Sequence, residues 1–145
     1  MAYSEGPILI NMIADTKVSS TALYRIAWCG SSAGVVVGDQ GATGKGGIFA
    51  GICYGYTHST STAAQEMIPI AVGGVAKVAM IASTAGGSNF ICASSNGWGM
   101  TASTKGTLIG RIVEGTSGGA GKLRSVLLFN TAPIEYAAHM ITSTG

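Results

Sequence analysis

Few residues of this chain could make or break bonds, and those few are scattered. His58 and His139 are the only histidines, and neither is read as having a partner at metal-ligand spacing. Nucleophilic catalysis needs a serine or thiol beside a base, with an acid to orient that base. Serines are plentiful, but only two histidines and six acidic residues could serve them. A serine paired with His58 or His139 is the one hydrolase arrangement on offer, and nothing in the spacing favours it. The three cysteines, Cys29, Cys53 and Cys92, are odd in number and each lies in an apolar run. That pattern predicts buried free thiols rather than a disulfide framework.

Two glycine-rich loops imitate phosphate cradles. A P-loop requires Gly, four residues, then Gly-Lys and a hydroxyl residue that holds magnesium. Gly38 stands one residue too far from Gly44-Lys45, and Gly46 follows where the hydroxyl is needed. Gly115 misses Gly121-Lys122 by the same extra residue, and Leu123 follows. GWGMTA (Gly97–Ala102) fits a dinucleotide fingerprint, but STKG follows where a helix should open. These segments are expected to be hairpin tips, and no catalytic, cofactor-binding or metal-binding residue is assigned.

The elements that carry these residues are short apolar runs stopped by Gly, Ser, Thr or Asn, as in closely spaced antiparallel strands. In LYRIAWC, Tyr24, Ile26 and Trp28 alternate with Arg25, the period of a half-covered sheet. AGVVV (Ala33–Val37) and IFAGICYGYT (Ile48–Thr57) follow, with Gly51 and Gly55 marking a bulge or a close backbone approach. EMIPIAV and VAKVAMIA flank Gly73-Gly74, which predicts a tight hairpin. Pro69 has no N–H, so its strand is expected at an edge or with that nitrogen facing solvent. NFICA and WGMTAS flank Asn96-Gly97, a second hairpin. TLIGRIVEG and LRSVLLFN flank the tip TSGGAGK (Thr116–Lys122) as a third. PIEYAAHMI begins with Pro and has apolar residues at helical spacing, which predicts a short C-terminal helix. The fold class is therefore all-β: a small antiparallel β-sandwich or barrel of about eight strands.

Two parts are distinguished along the 145 residues: an N-terminal arm, 1–22, and a β-rich domain, 23–145. The arm holds an apolar island behind Pro7. It reads either as an edge ribbon of the domain itself or as an extended segment that adds a strand to a neighbour. Its contact residues would be Tyr3, Pro7, Ile8, Leu9, Ile10, Met12 and Ile13. Trp98, flanked by two glycines at a turn, is the candidate exposed anchor.

Composition narrows the partners. Charged residues are 10% and hydrophobic residues 47% of the chain, and a surface so poor in charge tends to associate. The eight Lys and Arg are dispersed, whereas nucleic-acid binding gathers them on one face. The longest apolar stretch, Ile68 to Ala82, is interrupted by Gly73, Gly74 and Lys77 and falls short of the about 20 residues that span a bilayer. No charged segment leading into an apolar core opens the chain, so no signal peptide is expected. Neither nucleic acid nor membrane is an expected partner.

The order of arm, GIFAGICYG strand, IAVGGVAKV pair, Asn-Gly turn and closing LIGRIVEGTSGGAGKLRSVLL hairpin resembles the small decoration, or cement, proteins of tailed bacteriophages. The similarity runs from about Ala33 to Asn130, with AGGSNFICA departing where relatives carry Gly-Asp before that strand. The resemblance implies a structural protein without enzymatic activity. It would be made in the host cytoplasm and seated, as a homotrimer, on the outer surface of the mature capsid. There it would bridge neighbouring major capsid protein subunits, with the arm touching the coat or an adjacent copy. The alternative is a phage-associated carbohydrate- or ligand-binding β module that displays Trp98 and Tyr56.

Overall fold

The computed structural model describes residues 6–30, 34–37, 48–59, 65–81, 90–94, 96–101, 108–114 and 122–129. They form ten strands: β1 (Ile8–Ile13), β2 (Ile26–Cys29), β3 (Val35–Val37), β4 (Phe49–Cys53), β5 (Met67–Gly73), β6 (Val75–Ala79), β7 (Phe90–Ala93), β8 (Gly99–Thr101), β9 (Leu108–Glu114) and β10 (Leu123–Leu128), with one 3₁₀ turn at Ser20–Ala22. The strands make two antiparallel five-stranded sheets, ordered β1-β5-β4-β2-β3 and β6-β10-β9-β7-β8. The protein is an all-β, sandwich-like fold. Tyr3, the tips at 38–47 and 116–121, and the expected C-terminal helix lie outside the described residues.

The second sheet repeats the first. Adding five to each strand number in the first order produces the second, and the correspondence holds residue by residue. Ala27 faces Gly51 and Trp28 faces Phe49 across a bulge in β4; Ile91 faces Gly110 and Cys92 faces Leu108 across a bulge in β9. Asn11 faces Pro69 as Lys77 faces Ser125, and Leu9 faces Ala71 as Val75 faces Leu127. In each half the residue after the first strand crosses to the third by a parallel bridge, Ala14 to Val35 and Met80 to Gly99, so each sheet curls toward its own far edge. The chain is a tandem pair of one five-stranded unit, joined at Gly74.

The halves stack head to tail. The face of the second sheet that carries Ala76, Val78, Met80, Ile91 and Val126 packs on Ile26, Trp28, Ile52 and Ala71 of the first. The corresponding face of the first sheet, with Met12, Ala14, Ala27 and Ile70, makes a separate core with Val18 of the segment after β1. Sheet one is thus covered on both faces: Ile26 and Trp28 serve one core and Ala27 the other, where the alternation alone had suggested a single covered side. A third cluster, Cys92 and Leu108 under Phe90, Met100 and Phe129, lies on the far face of sheet two.

The hairpins at Asn96-Gly97 and between β9 and β10 are present. The expected hairpin at Gly73-Gly74 is not: β5 pairs with β1 and β4, while β6 pairs with β10. Gly74, at φ 72°, instead carries the chain from one sheet to the other. Nor is β5 an edge strand. Pro69 is tolerated because the β4 ladder stops at Cys53–Ile70, and Tyr54 N–H then donates to the Pro69 carbonyl. Of the thiols expected to be buried, Cys53 and Cys92 are, whereas Cys29 ends β2 in the open.

Gly51 sits at φ 153°, and a Cβ there would strike the Ala71 carbonyl oxygen; Gly110 meets the Leu127 carbonyl in the same way. Replacing either by Ala should cost roughly 2 kcal/mol or more, since a backbone clash opposes both and the positive φ adds strain at Gly51. Gly73→Ala, where the nearest side-chain atom is 3.4 Å away, should stay within about 1 kcal/mol of the parent. Urea denaturation of the three variants checks this ordering.

Candidate functional site

The expected arm is strand β1, paired to β5 in register from Leu9–Ala71 to Ile13–Met67. It is the edge ribbon of the domain's own first sheet, the first of the two readings of this segment. In an antiparallel ladder, alternate residues exchange hydrogen bonds with the partner and those between point outward. Ala14 N–H donates to the Glu66 carbonyl, so Leu9, Asn11 and Ile13 turn their N–H groups away from β5; at Ile13 that side meets Gly34 and Val35 of β3, while Leu9 and Asn11 face the open side. None of these three has a hydrogen-bond partner for that group among the described residues. Asn11 lies opposite Pro69 in a pair that exchanges no hydrogen bonds. Ile8, Leu9, Ile10 and Ile13 are exposed, as is Met67 beside Ile13, while Met12 packs inward. Pro7 precedes the strand half-buried. This is an apolar strand edge with unused donors, a template for another chain.

The corresponding edge in the second half is closed. Lys77 N–H donates to Tyr54 Oη (2.6 Å) and Ala79 N–H to the Tyr24 carbonyl (2.9 Å). The two tyrosine rings meet edge to face with centroids 5.3 Å apart. Tyr24 holds φ 65°, a conformation that costs a non-glycine residue about 1 kcal/mol or more and that aims its carbonyl at β6. Burial pushes the Tyr54 phenol pKa up, with the Lys77 N–H and nearby Tyr24 as smaller influences, so it remains a neutral cap. Neither tyrosine stood out in the sequence as an edge seal. The signal was their position, one just before β2 and one just after β4.

Trp98 is half-buried, not exposed: the Arg25 guanidinium lies over its ring at 4.2 Å, and the adjacent Gly97 carbonyl accepts from Ile26 N–H. It fastens the β7–β8 turn to the first half, so it is not a free anchor. Tyr56 is exposed and stacks on His58 at 5.1 Å.

The titratable groups do not converge. Burial pushes the Cys53 and Cys92 thiols up, partly offset by hydrogen bonds, and Cys53 Sγ donates to the Gly55 carbonyl. They are neutral core thiols. Glu66 accepts from the backbone N–H groups of His58 and Ser59 and lies 3.7 Å from His58 Nδ1. The His58 N–H is the main cause holding the Glu66 carboxyl below its ordinary range. Among the described residues no group of three or more His, Cys, Asp or Glu is placed to hold a metal ion, and no helix is long and apolar enough to cross a membrane. His139 lies outside the described residues. Comparison with protein-family models, curated proteins and solved structures finds no match to this chain.

Tyr54→Phe leaves the Lys77 N–H without its cap and should cost about 1 kcal/mol, with faster hydrogen exchange at the Lys77 amide. Because the folded Glu66 pKa is depressed, its contribution is complete above the unfolded carboxylate pKa and is lost as pH falls through the folded one. The protection factors of the His58 and Ser59 amides, measured against intrinsic exchange at each pH, should therefore fall in that acidic window. In Glu66→Gln they should be low, and flat, across the same range.

Proposed function

We propose that the protein is a structural component of a tailed-phage head. It binds the outer surface of the mature capsid and stabilises it by bridging neighbouring major capsid protein subunits. The observation that carries this reading is the open β1 edge, where exposed Ile8, Leu9, Ile10 and Ile13 flank unused backbone donors on a module with little surface charge. Such an edge can engage the coat or an adjacent copy of the chain on the shell, with affinity from main-chain hydrogen bonds and specificity from alternate side chains. The resemblance to decoration proteins supplies the shell as the surface to which it adheres.

A protein that bridges capsomers binds only their closed arrangement, and so stabilises that state by mass action. At a free concentration a hundredfold above the dissociation constant, this is worth about 2.7 kcal/mol per site. Several contacts on one assembly multiply through effective concentration, so modest individual contacts suffice. Within the chain, β1 is both adhesive and structural, since Met12 and Ala14 belong to a buried core. Deleting residues 1–13 would therefore disturb the fold as well as any contact.

The test uses intact particles of the phage that encodes this chain. Purified virions should contain the protein on their exterior, accessible to antibody, in numbers commensurate with the capsid lattice. Heads assembled without it should release DNA at lower temperature, and adding the protein back should restore them. Its absence from virions, or equal robustness of heads lacking it, overturns the reading.

A further inference from the structure

The duplicated fold leaves two surfaces whose counterparts are already covered inside the chain. The internal junction buries the β6 edge of the second half against one face of the first, with β6 over β4 and β10 over β5. Repeating that step once more needs a free first-half edge and a free second-half face, and the described residues of a single chain offer one of each. The free edge is β1. The free face is the far side of β9 and β10.

Side-chain choice at equivalent positions follows this division. Ala71 is 0% exposed inside the junction, and its equivalent on the free face is Leu127, 37% exposed. Ala76 and Ala79, at 1% and 5%, correspond to Ile10 and Ile13 on the free edge, at 43% and 41%. Met67, at 63%, corresponds to Leu123, at 44%. At three places where the internal junction has a small, covered alanine, the free counterpart is larger, apolar and open to water. Isolated exposed apolar side chains are ordinary, but contiguous ones mark contact surfaces. Cys92 and Leu108 on the free face are covered by Phe90, Met100 and Phe129, so contact falls on the side formed by Arg111, Leu123 and Leu127.

We infer that copies of this chain associate head to tail, with β1 of one copy lying over β9 of the next and β5 over β10, repeating the junction that already joins the two halves. The partner of the β1 edge is thus the second half of another copy. A contact of this kind uses two different surfaces, so it generates a ring if the rotation closes and a filament if it does not. The inference stands on the repeat geometry and not on the capsid reading, and it is tested without capsids.

Light scattering of the full chain during size exclusion, at micromolar concentration, should give a mass above that of one chain. Asn11→Pro removes an edge N–H that β5 does not use, Leu9→Lys charges the same edge, and Leu127→Lys charges the free face. Each should run as a monomer with an unchanged circular dichroism spectrum; Leu9→Lys carries the edge test if proline disturbs β1. An equimolar mixture of an edge variant with Leu127→Lys should form a complex of two chains. The edge variant contributes an intact face, and Leu127→Lys an intact edge. A monomeric parent, a folded variant that assembles like the parent, or a mixture of folded variants that stays monomeric overturns the inference. Assembly of Leu127→Lys like the parent would be the result of a symmetric contact in which both copies use the β1 edge.

Discussion

A sheet has two faces and two edges, and a short chain cannot cover all of them with itself. Each half of this protein meets that constraint in part by curling. The residue after the first strand reaches the third strand through a parallel bridge, Ala14 to Val35 and Met80 to Gly99, which shortens the exposed rim. The halves then solve more of the problem for one another. Trp28, Ile26 and Ile52 leave water beneath the second sheet, and the Tyr24–Tyr54 pair closes the β6 rim. Because this packing joins two unlike surfaces, it ends with one of each unfilled, and the exposed apolar side chains of β1 and β10 are the visible remainder.

What could be foreseen from the residues was what is local. Asn96-Gly97 specifies its hairpin because the turn alone decides it, and Gly51 announces a bulge because only glycine accepts the Ala71 carbonyl so close. Gly73-Gly74 misled for the same reason: a glycine pair suits a hairpin and a passage between sheets equally. The deciding fact was that β5 already had partners, β1 and β4, distant in sequence. Pro69 suggested an edge because its tolerance depends on where the neighbouring strand stops. Trp98 suggested a free tip because nothing near it in sequence reveals that Arg25 lies over it.

The duplication is hidden for a related reason. Fold equivalence between the halves rests on register, bulges and the two bridges, each of which fixes backbone and leaves side chains free. IFAGICYG and TLIGRIVEG keep the bulge-associated glycines Gly51 and Gly110, but ILINMI and VAKVA share little beyond apolar character. Apolar residues at these sites are interchangeable as long as volume and pattern fit, so divergence erases the likeness quickly. The apolar island at Ile8–Ile13 was visible as a contact candidate. Its counterpart on β10 was not, because Leu123 and Leu127 look like ordinary core residues until the sheet shows which side they are on.

The distribution of polar groups explains why such a surface is tolerable. Natural proteins usually blunt a free edge with lysine, proline or a bulge. Here β6, which is covered, carries Lys77 with its ammonium bonded to Ser125 Oγ (2.8 Å), whereas β1 carries no charge and only Asn11 as a polar residue. The protective residue thus sits on the edge that has no need of it. An edge that had to stay solitary would be under pressure for the opposite arrangement. Asn11 is the exception that fits: its side chain keeps one polar group on the rim without the repulsion a lysine would impose on a partner. The sequence of β1 is better suited to being covered than to remaining bare, and the rest of the fold leaves room for the cover.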